Sequence, residues 1–371
     1  MSAVTGGTLS RRDMLRGSAA SGAGLLWPGV AHSEGGAAGL GDIAAKAGIL
    51  FGSTMDKANE ADPAYAKLFD RHTKLIVTEN ATKFSFLQPH QGVYDFSVVD
   101  GVLDYAKAHG KKAHAAALIW NDDAPNWLKG RPGREIERIF DAHIERVVSR
   151  YAGRFISWEA VNEPFFPVQG KPGGYRDGPW FAAMGPSYIP RALRRVASID
   201  KSARLVVNEA FCESNHEWGR ANRPLFKGLA DRLLDDGVPL HAVGFQSHLI
   251  SSWSYDDHAF QAYVAEFGAR GLDVYLSELD VNDEVLPEDN AVRDKMVARR
   301  YQDYLTAVLA VPAVKRVVTW GLADRYSWWR YMTWEKSTNA ARLARPLPFD
   351  DDMKRKPAYD AMARAFEARR A

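Results

Sequence analysis

Residues 204–246 read RLVVNEAFCESNHEWGRANRPLFKGLADRLLDDGVPLHAVGFQ. An apolar run, Arg204–Asn208, is followed by an amphipathic segment, Pro224–Asp236, which stops at Gly237. A second apolar run, Ala242–Gln246, closes the stretch. Short apolar runs without alternation are the mark of strands buried on both faces. Glycine just past the last periodic residue is a helix stop. The stretch is therefore read as strand, helix, strand, with its two strands parallel.

The same alternation extends in both directions. Further strands are expected at Gly48–Phe51, Leu75–Thr78, Lys112–Trp120, Phe155–Asn162, Asp273–Ser277 and Arg316–Trp320. Helices are expected at Ser97–His109, Arg134–Tyr151, Pro186–Ile199, Asp257–Ala269, Val292–Val311 and Pro357–Ala368. In Arg134–Tyr151 the apolar residues Ile136, Ile139, Phe140, Ile144, Val147 and Val148 recur at helical spacing. Repeated strand–helix units with no second compositional regime predict one α/β domain, a single (β/α)8 TIM barrel. An open doubly wound sheet is the competing architecture. No Gly-x-Gly-x-x-Gly follows the first strand, and no phosphate-binding Gly-x-x-x-x-Gly-Lys-Ser/Thr loop occurs. The long irregular stretches 121–133, 164–185 and 321–350 each follow a strand, which places them at the catalytic mouth of a barrel.

The chain has 371 residues, with 48 Lys+Arg against 46 Asp+Glu and one cysteine, Cys212. A formal net charge of +2 offers no basic field for nucleic acid. One cysteine excludes an internal disulfide and a Cys-rich zinc module. Eleven Trp suggest aromatic platforms for a ring-shaped ligand. At the N-terminus Arg11-Arg12, a weakly apolar run from Gly17 to Val30 and Ala31-His32-Ser33 follow the pattern of a signal peptide. The arginine pair resembles the twin-arginine export signal. The expected organisation is a twin-arginine-type signal peptide over 1–33 and a catalytic barrel over 34–371. The protein would be exported folded by the twin-arginine machinery, to the periplasm or beyond, and act as a monomer. No later run reaches the ~18 apolar residues of a membrane span.

Polar groups gather where the strands end: Thr78-Glu79-Asn80, Asn162-Glu163-Pro164, Asn208-Glu209, Gln246-Ser247-His248, Glu278-Leu279-Asp280 and Trp320-Gly321. Burying so many polar groups costs free energy unless they pair or bind something. Glu163 and Glu278 sit on the fourth and seventh strands, across the mouth from each other. Two carboxyls about 5–5.5 Å apart are what double-displacement glycoside hydrolysis requires. Asn162 would hold a sugar hydroxyl. A chain Glu278–His248–Asp280 would keep Glu278 ionised and oriented, and ionised Glu278 would favour a proton on Glu163. His114, His248, Glu209 and Asp280 are alternative metal ligands, but no His-x-His or His-Glu-x-x-His spacing occurs. No metal and no cofactor are expected.

With FGSTM near Phe51, TENATKF at 78–84, WEAVNEPF at 158–165, VVNEAF at 206–211, GFQSH at 244–248, YLSELDV at 275–281, TWGLADRYSW at 319–328 and KPAY at 356–359, the chain resembles glycoside hydrolase family 10, the endo-β-1,4-xylanases. The resemblance implies a polysaccharide or oligosaccharide substrate, Glu163 as acid/base, Glu278 as nucleophile and retention at the anomeric carbon. It implies that Glu79, Asn80 and Lys83 hold sugars on the non-reducing side and that Asn162 binds the 2-hydroxyl. Gln246 and His248 would line the nucleophile's side, and Trp127, Trp320 and Trp328 would wall the cleft. Departures lie on the sugar-facing wall. Asn121, expected among the substrate-binding residues, replaces a sugar-binding imidazole; Phe84 replaces a Trp, Glu209 an Asp, and Phe211-Cys212 a Tyr-Asn pair. These leave open another β-linked polymer, such as a bacterial exopolysaccharide. A carbohydrate-binding barrel without catalysis and a metal-dependent lyase or aldolase are the readings from other classes.

Overall fold

The computed structural model describes residues 38–55, 61–330 and 342–369. Its strands are β1 (Leu50–Met55), β2 (Leu75–Thr78), β3 (Lys112–Ala115), β4 (Ser157–Asn162), β5 (Arg204–Glu209), β6 (Ala242–Phe245), β7 (His248–Ile250), β8 (Asp273–Asn282) and β9 (Val314–Thr319). All pairings among them are parallel. β1 pairs with both β2 and β9, and β6 with both β5 and β8, so the sheet closes on itself as a (β/α)8 barrel. β7 continues the sixth barrel strand after a break at Gln246-Ser247, where Ser247 has a left-handed φ of 64°. It pairs with the upper half of β8, and His248 lies opposite Asp280.

Alternate strand residues separate into two sets. Ile76, Val207, Val243, Val274 and Val317 join the main core with the surrounding helices. Leu75, Val77 and Val318 form one small separate cluster, and Val206, Ala242 and Tyr275 another. That split is the period-two alternation of a strand, with one set facing the helices and the other the barrel axis. The lower interior is polar. Ser157 Oγ takes a 2.6 Å hydrogen bond from Arg316 and lies 2.7 Å from His114 Nδ1, while Arg316 stacks on the Tyr275 ring at 4.0 Å.

The helices Asp257–Ala269 and Pro357–Ala368 have the expected bounds, and Gly133–Tyr151 begins one residue early. Others differ for physical reasons. The helix expected from Pro224 begins at Glu217, capped by His216, and carries Pro224 inside it. The third strand ends at Ala115 rather than Trp120, because the Ala116 amide donates to Thr78 Oγ1 instead of a ladder carbonyl; Trp120 keeps a bridge to Asn162. β8 runs on to Asn282 because β7 gives its upper half a partner. Helices at Leu40–Lys46 and Pro63–His72 were not anticipated. Among the described residues no helix is long and apolar enough to cross a membrane. The expected signal peptide, residues 1–33, lies outside the described residues.

Candidate active site

The C-terminal ends of the strands bring most of the expected polar groups to one rim. Asn162 ends β4, and Glu163 follows it with a left-handed φ of 48°. Asn208 lies on β5 in register with Asn162 on one side and Gly244 on the other. A Cβ at Gly244 would come within 2.2 Å of Asn208 Oδ1, so the glycine makes the room in which that amide lies.

Glu278 is 8% exposed. Its Oε1 accepts a 2.8 Å hydrogen bond from Asn208 Nδ2, and its Oε2 lies 3.2 Å from His248 Nε2. His248 Nδ1 is 2.9 Å from Asp280 Oδ1, and Asp280 Oδ2 accepts from Trp328 Nε1 at 2.7 Å. Burial alone would depress the imidazole pKa. The Asp280 and Glu278 carboxylates outweigh it and push His248 up to about 10. The expected chain Glu278–His248–Asp280 is thus present, in surroundings that favour the protonated imidazole at its centre.

Glu163 is 3% exposed. Its Oε1 accepts from Gln246 Nε2 at 2.7 Å, and its Oε2 lies 2.7 Å from the Arg176 guanidinium. Gln246 Nε2 also reaches Asn162 Oδ1 at 3.5 Å, and Asn208 Nδ2 reaches the same oxygen at 3.1 Å. One run of amides, Gln246–Asn162–Asn208, therefore joins the two carboxyls across the mouth. Below them Glu159 is buried on β4. Burial, then the charges of Glu278 and Glu163, push its pKa well above the usual carboxylate range. A carboxyl so placed is pushed toward its neutral form.

Lys83 Nζ donates to Asn80 Oδ1 at 2.8 Å and lies over the rings of Trp120 and Trp320, at 5.4 and 6.0 Å. Glu79 is half-buried on the same turn. Trp320 meets His248 edge-on, and Trp328 packs on it at 4.6 Å. Behind Trp328 the loop is fastened by buried Asp324, which accepts from Lys356 Nζ at 2.8 Å and from the Leu347 amide. Trp127 donates to the Gln88 carbonyl and meets Phe84 edge-on. Phe84 itself is core, stacked between His143 and Trp180. Two residues have tasks the sequence did not suggest. Asn121 is buried, and its Oδ1 accepts from the Trp180 and Phe181 amides at the start of helix Pro179–Met184. Gly178 lets it approach, since a Cβ there would sit 2.5 Å from that oxygen. Glu209 accepts from the Phe165 and Ala210 amides and so holds the first residues beyond Glu163.

Opposite β2, the loops after β4, β5 and β7 build an aromatic ledge. Phe166, Trp218, Trp253 and His216 are partly exposed around Phe211. His216 stacks on Trp253 at 4.2 Å, and Trp218 meets Phe166, Phe211 and Trp253 within 5.8 Å. Beside it Glu213 is 1% exposed, and neither of its oxygens has a hydrogen-bond partner among the described residues. Burial pushes its carboxyl up to about 7. Asn208, Arg176, Glu159 and Glu213 were not anticipated as site residues. Only Asn208 carried a signal, as an amide ending a strand in the layer of Asn162.

Residues 39–365 match the family model of glycosyl hydrolase family 10. Endo-1,4-beta-xylanase 5 of Pyricularia oryzae is 30% identical over 90% of this chain and 80% of its own length. Endo-1,4-beta-xylanase A of Phanerodontia chrysosporium is 29% identical over 87% and 75%. Among solved structures, native xylanase 10B from Thermotoga maritima superposes with a TM-score of 0.79 at 26% identity, over 89% of this chain and 98% of that one. Xylanase 10B from Thermotoga petrophila in complex with xylobiose does so with a TM-score of 0.80 at 25% identity, over 91% and 99%.

Proposed function

The chain belongs to glycosyl hydrolase family 10, and from that premise we propose that it is an endo-1,4-β-xylanase that cleaves β-1,4-xylan by double displacement. The observation that carries the reading is the pair Glu163 and Glu278, buried at the mouth and joined through Gln246, Asn162 and Asn208. Glu278 attacks the anomeric carbon while Glu163 protonates the departing oxygen. Glu163 then takes a proton from water, which displaces Glu278 and restores the original configuration. Asn208 and the His248–Asp280 pair hold Glu278 in line. Asn162 binds the sugar 2-hydroxyl. Glu79, Asn80, Lys83, Gln246, Trp127, Trp320 and Trp328 receive the sugars on either side, because sugar rings pack their apolar faces on indoles.

The test is residues 34–371 against glucuronoxylan, arabinoxylan, mixed-linkage glucan and bacterial exopolysaccharides, with Glu278→Ala as the blank. Short xylo-oligomers released only by the intact enzyme are the expected result. Near-normal hydrolysis by Glu278→Ala overturns the mechanism. A second reading keeps the mechanism and changes the polymer. Asn121 favours it, since its oxygen is committed to the helix at 179–184. Release from a polymer other than xylan establishes it.

We infer further that residues 1–33 direct export through the twin-arginine route. The support is Arg11-Arg12 ahead of a weakly apolar, Gly- and Ala-rich run. Replacing both arginines by lysine is expected to leave the protein inside the cell. Export of that variant at the normal level would remove the proposal.

A further inference from the structure

Arg176 grips Glu163 at two points. Its Nε donates to the Glu163 carbonyl at 2.9 Å, and an Nη lies 2.7 Å from Oε2. The guanidinium is 4% exposed, packs over the Phe166 ring at 4.8 Å, and its own amide donates to Pro164. This fixes the left-handed residue Glu163 in place. It also sets a full cation against a group that must carry a proton when the substrate arrives. A cation at that distance favours the carboxylate form.

The other Nη of Arg176 is 2.7 Å from Asp122 Oδ2. Asp122 stands on a pinned loop, between Asn121, which caps helix 179–184, and Asp123, which accepts from the Ser85 amide at 3.0 Å. Its carboxylate, about one-third exposed, is held against the prong of the guanidinium that points away from the Glu163 carboxyl. We propose that Asp122 is a positioning residue for the acid/base: through Arg176 it offsets the cation that holds Glu163, so that Glu163 is both fixed and protonated at the working pH.

The inference rests on Glu163 being the acid/base. Other groups near Glu163 include Gln246 from the sixth strand, Glu278 on β8, Glu159 on β4 and Glu209 on β5. Lys83 acts on Glu159 from the far rim, and Tyr188 lies near Arg176. Removing the Asp122 charge takes one of the carboxylates away from Arg176, so Glu163 should lose its proton at lower pH.

The experiment is the pH profile of kcat/KM for Asp122→Asn and Asp122→Glu, on the polymer that the wild type cleaves and on 2,4-dinitrophenyl xylobioside. The dinitrophenolate leaves without protonation, so its first step does not need the Glu163 proton. On the polymer, Asp122→Asn is expected to move the alkaline limb down by about one pH unit, roughly tenfold in kcat/KM on that limb. The acid limb should stay in place, Asp122→Glu should restore the profile, and the aryl glycoside profile should not move. Asp122→Ser removes the same charge and replaces Asp122→Asn if that variant does not fold. A superimposable profile, or a uniform loss on both substrates without a shift, overturns the inference. Glu163→Gln separates the two levels. If it cleaves the polymer normally, the acid/base assignment itself falls. If it is inactive while Asp122→Asn is unshifted, only the role of Asp122 falls.

Discussion

Asn208 Nδ2 lies 2.8 Å from Glu278 Oε1, although Asn208 is on β5 and Glu278 on β8, with β6 between them. The reach is possible because the intervening strand carries Gly244, whose missing side chain leaves the amide its path. Ser277 Oγ donates to Asn208 Oδ1 at 2.7 Å, which fixes which end of the amide faces the carboxylate. Asn208→Ala is therefore expected to lower kcat/KM on xylan by about 10- to 100-fold, the worth of one hydrogen bond to a charged group. Melting temperature should fall by about a few degrees, because Ser277 and Asn162 also lose a buried partner. Steady-state kinetics beside a thermal melt checks this, and an unchanged kcat/KM would remove Asn208 from the site.

His248 is held between two carboxylates, and its pKa is pushed up to about 10. An imidazole whose folded pKa lies above its unfolded value stabilises the fold fully below about pH 6.5. That contribution falls as pH rises and is gone above about pH 10. His248→Asn should therefore cost more stability at pH 6 than at pH 10.5. Urea unfolding at both pH values decides it, and an equal cost would mean the imidazole is not charged.

Glu213 is the reverse case, a buried carboxyl with no hydrogen-bond partner among the described residues. Burial raises its pKa to about 7, so the folded state holds its proton more tightly than the unfolded state does. Its contribution is complete below about pH 4.5 and is lost as pH rises through about 7. Glu213→Gln should raise stability at pH 8, by on the order of 1–3 kcal/mol, and leave it unchanged at pH 4. A gain of equal size at both pH values would refute the ionisation argument.

On the proposed mechanism, the ledge of Trp218, Trp253 and Phe166, which begins three residues after Glu163, would receive sugars beyond the leaving group. Trp253→Ala is expected to raise KM for long xylo-oligomers by about fivefold, in keeping with ~1 kcal/mol for an aromatic contact. The kinetics of an aryl xylobioside, which has no sugar beyond its leaving group, should not change. Product sizes from xylohexaose provide the independent check.

Much of this site could be read from the chain because its parts sit at strand ends. Glu163, Glu278 and His248 follow apolar runs, and strand alternation sets Glu278 and Asp280 on one face, while left-handed Glu163 and Ser247 turn the other two into the mouth. Asn208 belonged to the same pattern and was obscured by Glu209 beside it, whose carboxylate holds the backbone of the next loop instead. Arg176 and Asp122 had no such signal. They lie on irregular loops after different strands, and only the folded chain brings them within 2.7 Å. Asn121 was legible as a change of residue type but not as a helix cap, since that role depends on the glycine at 178. The early start of the helix at Glu217 was hidden by Pro224, whose missing N–H ordinarily marks a boundary.

The closed ring of strands also bears on how the protein behaves in company. An open sheet ends in two rows of unpaired amides and carbonyls, on which another chain can add a strand. Here β1 meets β9 and β6 meets β8, so each of the eight barrel strands has a neighbour on either side. Among the described residues the short β7 is the one strand outside that ring, and its three residues pair with the upper half of β8. Molecules of this enzyme crowded together on a polymer therefore present one another with helices and loops rather than with templates for fibrils.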